Sequence, residues 1–437
     1  MAEERFTIPF GRGRVSFALP AGMRGTLAES RPAPALPDLA AAVQQALAEP
    51  VGVAPLRALA QPGQTVCIVV TDNTRACPDH ALVPPVLAEL AVAGIRDEDI
   101  TILVACGLHR ATTLAEKIEK LGAAVVERYR VVDHNALDTA NLVELGVFAA
   151  GIPGVVNRLA VEADLLIATG VVEPHQYAGY SGGGKTVAIG CGGEATIGVS
   201  HGVALLDDPG TRLGNLAGNR FHEAAFAIAE RAGLRFVVNV VLNDDGRAVA
   251  VRAGAMRPAY AELVAQARAL YEAPVDRQFD VVVAGVGYPK DVNLYQASRA
   301  ASYIFFAPAP VVRPGGAIIV PAACPEGPGA GLGERRFYET MVAAPDMATL
   351  LADARRHGLR PGESRAFIMA KVMSEVEVIV AAPDDPAMVE RAHLTAAADV
   401  PAALAHVARR LGDHHDVLVV PPALLTRPVL SRQPALA

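Results

Sequence analysis

Apolar runs of strand length alternate with longer helical patterns along most of this 437-residue chain, and that alternation limits its fold more than any single motif. Residues 65–71, 100–105, 163–169 and 235–242 are rich in Val, Ile, Leu and Phe with little polar interruption, the pattern of strands covered on both faces. Between and after them, residues 83–93, 113–121, 220–232 and 258–271 read as helices. Such alternation predicts βαβ units and a mostly parallel sheet. A second series of strand runs follows at 279–285, 316–320, 376–381 and 417–420. The chain is long for one core. The expected fold is therefore α/β in two domains, 1–274 and 275–437, each a mostly parallel sheet flanked by helices. Residues 31–37, rich in Pro and Ala, read as a surface connector, and the proline-containing tail after Pro421 reads as extended chain.

Composition narrows the class without naming it. A net charge of −7 argues against a nucleic-acid surface. No stretch approaches the ~20 consecutive apolar residues of a membrane span, and Met1 to Arg5 lack the basic-then-apolar pattern of a secretory signal. A cytoplasmic protein with no membrane or nucleic-acid partner is expected. Cys67, Cys77, Cys106, Cys191 and Cys324 are scattered and never in C-x-x-C spacing, so neither a disulfide framework nor a zinc site is expected.

The chemistry concentrates in residues 175–201. His175, Tyr180, Ser181, Lys185 and His201 surround Gly179, Gly182, Gly183 and Gly184. Glycines let a backbone approach a ligand closely, and such loops cradle anions. The lysine can neutralise an anion or bond covalently to a group, and the imidazoles can move protons or bind a metal. Gly179 to Thr186 also satisfies the phosphate-loop pattern G-x-x-x-x-G-K-[ST]. That motif needs a strand directly before it and a helix after it. Here residues 171–178 intervene after the strand-like run, and Gly190, Gly192 and Gly193 follow where a helix should propagate. A phosphate-loop nucleotide enzyme is one alternative, and a non-catalytic protein binding an acidic metabolite is another.

Three further motifs accompany the loop in order: Asp72-Asn-Thr-Arg75 with Pro78, Gly107-Leu-His109-Arg110 with Thr113, and Asp291, Asn293, Tyr295, Gln296 and Arg299. With His175, Gly179 to Gly183, Lys185, Thr196-Ile197 and His201, they resemble the nickel-pincer lactate racemase family of 2-hydroxyacid racemases and epimerases. The resemblance spans residues 72–299 and rests on the order and spacing of four motifs. It implies an isomerase that takes hydride from a 2-hydroxy acid and returns it to the opposite face of a planar 2-keto acid. It implies a nickel cofactor, pyridinium-3,5-bisthiocarboxylic acid mononucleotide, attached through Lys185, with His201 the protein's ligand to nickel. It further implies cofactor-biosynthesis enzymes as partners, and His109 and His175 as an acid/base pair. Asp72, Arg75, Tyr180, Ser181, Gly182, Gly183 and Gly184 would hold the cofactor, and Arg75, Tyr295, Gln296 and Arg299 the substrate.

Position along the chain agrees with that assignment. Asp72, His109 and His175 each follow a strand-like run, and ligands in open α/β sheets bind beyond the carboxyl ends of the strands. Asn293 to Arg299 follow the first strand of the second series, so an active site in the interdomain cleft is expected. Two departures from the family pattern stand out. Arg299 replaces the usual lysine, which leans toward a 2-hydroxy acid larger or more polar than lactate. Ile189-Gly190 replaces Pro-Gly after Lys185.

Overall fold

A computed structural model describes residues 4–360 and 362–431. The chain forms two compact units. One contains Pro32–His201 and Asn215–Leu270; the other contains the described residues up to Arg31, Gly202–Gly214, and those from Tyr271 onward. Where the sequence suggested a single crossing near residue 274, the early hairpin and a short internal segment thus group with the C-terminal half.

The first unit is built on a six-stranded sheet. From edge to edge its strands are Arg130–Asp133, Ile100–Ala105, Val66–Thr71, Leu165–Val171, Leu234–Leu242 and Ala248–Gly254. All neighbours pair in parallel except the last two, which are antiparallel. Val66–Thr71 and Leu165–Val171 are buried at every residue, as central parallel strands covered on both faces should be. Helices Leu39–Ala48 and Asp79–Val92 bury Val43, Leu47, Leu82, Val86 and Leu90 in the core with Ile68, Ile102, Ile167 and Val238. The chain first moves outward from Val66–Thr71 to Arg130–Asp133, then returns to place Leu165–Val171 on the other side. The strand order therefore reverses between Val66–Thr71 and Leu165–Val171, leaving a crevice at their carboxyl ends.

In the second unit, Thr395–Ala397, Glu377–Ala381, Val312–Pro321, Phe279–Ala284, Asp416–Val420 and Arg24–Leu27 form an all-parallel sheet in that order. Helices Leu294–Phe305 and Val400–Leu411 make two of its crossovers. An antiparallel hairpin of Arg5–Phe10 and Gly13–Ala18 adds Phe6, Ile8 and Phe17 to the core. The tail read as extended chain forms a strand at Arg427–Leu430, parallel to Glu272–Val275; residues 432–437 lie outside the described residues.

Candidate active site at the sheet's carboxyl edge

Each candidate loop of the first unit leaves the carboxyl end of a strand and is pinned by local chemistry. After Val66–Thr71 the chain turns at Asp72, with the Arg75 amide donating to the Asp72 carbonyl at 3.2 Å. Lys120 holds this turn from below: its amine donates to the Arg75 and Cys77 carbonyls, each at 3.0 Å, and pairs with buried Asp79 at 3.1 Å. Asp79 in turn accepts from Thr71 at 3.0 Å and Thr169 at 2.5 Å, which ties the two central strands together under the crevice. After Ile100–Ala105, Gly107 takes φ of +54°, a region glycine enters without strain. Its amide donates to the Gly190 carbonyl at 2.9 Å, and the His109 amide donates to Cys106 at 2.8 Å. Thr113 and Glu116 form a capping box for helix Leu114–Leu121, and Glu116 also accepts from Asn73 at 2.6 Å, linking the Asp72 and His109 loops.

These loops enclose a cavity of about 830 Å³, open water at its mouth included. Asp72, Arg75, His109, His175, Ser181, Gly182, Lys185 and His201 line it, with Cys106, Leu108, Ile189 and Ile197 among its less polar walls.

Backbone and carboxylate partners fix how three of its histidines present themselves. The Asp72 carboxylate lies 2.6 Å from His109 Nδ1, and its other oxygen accepts from the Thr74 hydroxyl at 2.8 Å. Burial alone would raise the Asp72 carboxyl; the His109 contact, Arg75 and Thr74 outweigh it and hold the group below the usual range. His201 ends helix Glu194–Ser200, with its Nδ1 3.1 Å from the Ile197 carbonyl. The Ser200 hydroxyl, 3.0 Å from the same Nδ1, itself donates to the Ile197 carbonyl at 3.1 Å, so Nδ1 faces acceptors, carries the proton and leaves Nε2 its lone pair. Burial, then the Lys185 charge, lowers this imidazole to about 4, which leaves it neutral at ordinary pH. The His175 Nδ1 receives the amides of Tyr177 at 3.2 Å and Ala178 at 3.1 Å. Tyr177 and Phe221 pack edge-on against the His201 ring, with centroids at 4.8 and 5.4 Å.

The glycine loop divides its work between ligand approach and packing. Gly182 lines the cavity. The Gly183 amide, however, donates to Asn239 Oδ1 at 2.8 Å, and a Cβ on Gly183 would fall 2.5 Å from Phe226 Cζ. Gly184 abuts the Ala225 carbonyl and the Ala229 side chain. A helix does start at Lys185 but ends at Ala188, a single turn, and a two-residue bridge of Pro174–His175 with Gly179–Tyr180 separates the loop from the preceding strand. That is not the strand–loop–long helix arrangement of a phosphate loop.

Of the residues singled out in the sequence, Tyr180, Gly183 and Gly184 fall outside the cavity lining. Tyr180 is fully buried, and its carbonyl accepts from Tyr260 at 3.0 Å. Tyr295, Gln296 and Arg299 belong to the other unit, on helix Leu294–Phe305, which Asn293 caps by accepting from the Gln296 amide at 2.9 Å. There Arg299 donates to Gln296 Oε1 at 3.3 Å and to the Tyr303 hydroxyl at 3.1 Å. Sequence reasoning missed the supports: Asp79, Lys120 and Asn239. An acidic residue directly after Pro78, at the first turn of a helix, was the available signal for Asp79.

Comparison with known proteins agrees with this architecture. Residues 10–214 match the lactate racemase N-terminal domain family and residues 275–425 the lactate racemase C-terminal domain family. Lactate racemase of Lactiplantibacillus plantarum is 32% identical over 387 residues, covering 87% of this chain and 89% of that protein. Lactate racemase of Thermoanaerobacterium thermosaccharolyticum is 30% identical over 378 residues, covering 85% and 87%. The solved structure of the Thermoanaerobacterium lactate racemase apoprotein superposes with a TM-score of 0.87 at 28% identity, covering 98% of this chain and all of that one. A Thermotoga maritima protein at 19% identity and TM-score 0.62, covering 90% and 97%, shares the fold. With both domains matched in order and two relatives aligned over most of their length, the chain belongs to the lactate racemase family.

Proposed function

We propose that this protein racemises a 2-hydroxy acid, using a nickel-pincer nucleotide carried on Lys185. The observation that carries the reading is one cavity lined by Lys185, the neutral imidazole of His201, and two more histidines, one of them held by a carboxylate. The fit to the cofactor can be tested on the donor set. A pincer that supplies its own carbon and sulfur ligands asks the protein for a single imidazole and an amine. His201 offers Nε2 with Nδ1–H tied to a carbonyl, the arrangement that orients a metal-ligating histidine. Among the described residues no group of three or more His, Cys, Asp or Glu could hold a metal, so a protein-only cage is not the alternative.

When bound, the cofactor supplies an acceptor for the substrate's Cα hydride, which no amino-acid side chain can provide. The remaining work falls to side chains of this chain. His109, its Nδ1–H given to Asp72, has Nε2 available to take the hydroxyl proton as hydride leaves. Arg75, whose guanidinium reaches only the Thr74 hydroxyl at 3.4 Å among the described residues, is available to fork onto the substrate carboxylate. Leu108, Ile189 and Ile197 line the cavity with aliphatic surface, suiting a short apolar 2-substituent. Lactate, the substrate in the relatives' names, is the first candidate. Arg299 in place of lysine favours a longer or more polar acid, and we assign it, Gln296 and Tyr295 to substrate binding.

Two measurements test the reading. Protein made alongside the cofactor-building enzymes should carry a mass adduct that Lys185→Ala abolishes. The loaded enzyme, given enantiopure 2-hydroxy acids, should yield racemates by chiral chromatography. No adduct in protein that is otherwise folded, or no racemisation across lactate, malate and longer acids, sinks the proposal.

A further inference from the structure

Resting on the racemase reading, we infer that the two cavity histidines are held in opposite tautomers, His109 as the bare Nε2 base and His175 as an Nε2–H donor, with Asp72 the positioning residue that sets the state of His109.

The assignment follows from which partners can only donate and which only accept. Two backbone amides point at His175 Nδ1, of Tyr177 at 3.2 Å and Ala178 at 3.1 Å. An amide N–H cannot accept, so Nδ1 must offer its lone pair and the neutral ring carries its proton on Nε2. The short bridge between Pro174–His175 and Gly179–Tyr180 closes the turn that aims those amides. At His109 the polarity is reversed. Asp72 is a buried carboxylate kept ionised by its surroundings, and an ionised carboxylate only accepts, so Nδ1 carries the proton and Nε2 is bare.

A relay fixes the carboxylate itself. Arg75 Nη1 donates to Thr74 Oγ1 at 3.4 Å, and that hydroxyl donates to Asp72 Oδ1 at 2.8 Å, leaving Oδ2 for His109. The neutral pair is therefore one base and one donor, not two equivalent bases. A substrate hydroxyl facing His109 can give up its proton at once. For His175 to accept a proton on Nε2, the proton must first sit on Nδ1, against two amides that point at it. Proton uptake there requires the turn His175 to Ala178 to release at least one of those bonds.

Long-range proton–nitrogen correlation spectra of the full chain, labelled with nitrogen-15 in histidine and recorded where the imidazoles are neutral, read each tautomer directly. Signals are assigned by their loss in His109→Gln and His175→Gln. We expect protonated Nδ1 in His109 and protonated Nε2 in His175. In Asp72→Asn, the Thr74 hydroxyl still claims the side-chain oxygen. The amide NH₂ then faces His109, whose proton moves to Nε2 while His175 is unchanged. Racemisation in that variant should fall about 10⁴-fold, as for the same change in a serine-protease triad. A His175 proton on Nδ1 in the unmodified chain overturns the inference, and so does a His109 that keeps Nδ1–H in folded Asp72→Asn. Because the spectra need no turnover, expected tautomers in a protein that racemises nothing would remove the functional reading and leave the assignment standing.

Discussion

Lys120→Met is the substitution whose effect can be worked most directly from the contacts beneath the active site. Asp79 is fully buried and Lys120 is nearly so, with 11% of its side chain exposed. Removing the amine leaves the Asp79 charge with only the hydroxyls of Thr71 and Thr169 and the Cys77 thiol, at 3.0, 2.5 and 3.4 Å. It also strips the Arg75 carbonyl of its Lys120 donor, whereas the Cys77 carbonyl still accepts from the Asp79 amide at 2.9 Å. Breaking a buried pair by deleting one partner costs about 3–5 kcal/mol, because the surviving charge stays desolvated. The Arg75 carbonyl belongs to a half-buried residue beside exposed Ala76, so its loss adds little. The expected loss is therefore about 3–5 kcal/mol. Arg96→Met, which breaks a pair with Asp99 in which Arg96 is 64% exposed, should cost far less, because solvent screens that pair. Native-state amide exchange of strand Val66–Thr71 under increasing urea reads both opening free energies in the unit concerned. The double variant Lys120→Met/Asp79→Asn should lose less than the sum of the single changes, since no charge is then left behind. A Lys120→Met loss no larger than that of Arg96→Met would show that the pair does not hold the loop.

Gly183→Ala should destabilise the protein by about 2–4 kcal/mol, combining a left-handed φ of +54° with a Cβ 2.5 Å from Phe226 Cζ. Phe226→Leu in the same chain should recover part of the loss, whereas Gly218→Ala, at φ +63° with open space around it, serves as the backbone-only control; equal losses at the two glycines would discount the clash. Burial, with the nearby Arg257 charge, lowers the His222 imidazole to about 4. The unfolded chain binds that proton near pH 6.5, so folded protein binds fewer protons across this window and its stability falls as pH drops from about 6.5 to about 4. His222→Leu should shrink the Tm difference between about pH 7 and about pH 4.5, and an unchanged difference would rule the contribution out. His201→Ala should abolish nickel in protein made with the cofactor pathway, measured by elemental analysis, while the Lys185 adduct persists; nickel retained at full occupancy would remove His201 as the ligand.

Much of the fold was legible because the central strands are long and uniformly apolar. Val66–Thr71, Ile100–Ala105 and Phe279–Ala284 begin and end within a residue of their expected bounds, since an apolar run with polar residues or glycine at or near each end marks each one. The short strand Arg130–Asp133 was not expected, because its four residues end in charge at either side and its burial comes from its neighbour. Arg24–Leu27 was likewise hidden: its residues are polar enough for a loop, and only the exposed edge of a distant strand makes it β. The candidate site was legible where chemistry demands a residue type, as at His109, His175, Lys185 and His201. Which of Gly182 and Gly183 faces the cavity was not, because both take positive φ and both leave no room for a Cβ, against Asn239 and Phe226 respectively, and only Gly182 lines the cavity. The contact between Asp72 and His109 joins two loops that share no local signal.

The pairing of Arg24–Leu27 with Asp416–Val420 also sets a timetable for biosynthesis. Protein chains are made from the amino end, so Arg24–Leu27 leaves the ribosome long before the Asp416–Val420 strand with which it pairs. Meanwhile it carries an open edge, the feature that invites pairing with other chains. Its sequence suits the delay: Arg24, Gly25 and Thr26 offer little apolar surface, and Leu27 is still 48% exposed when paired. Ribosomes that pause late in this message would hold the strand unpartnered for longest, and a permuted chain that joins it after Leu430 would close the same sheet without the wait.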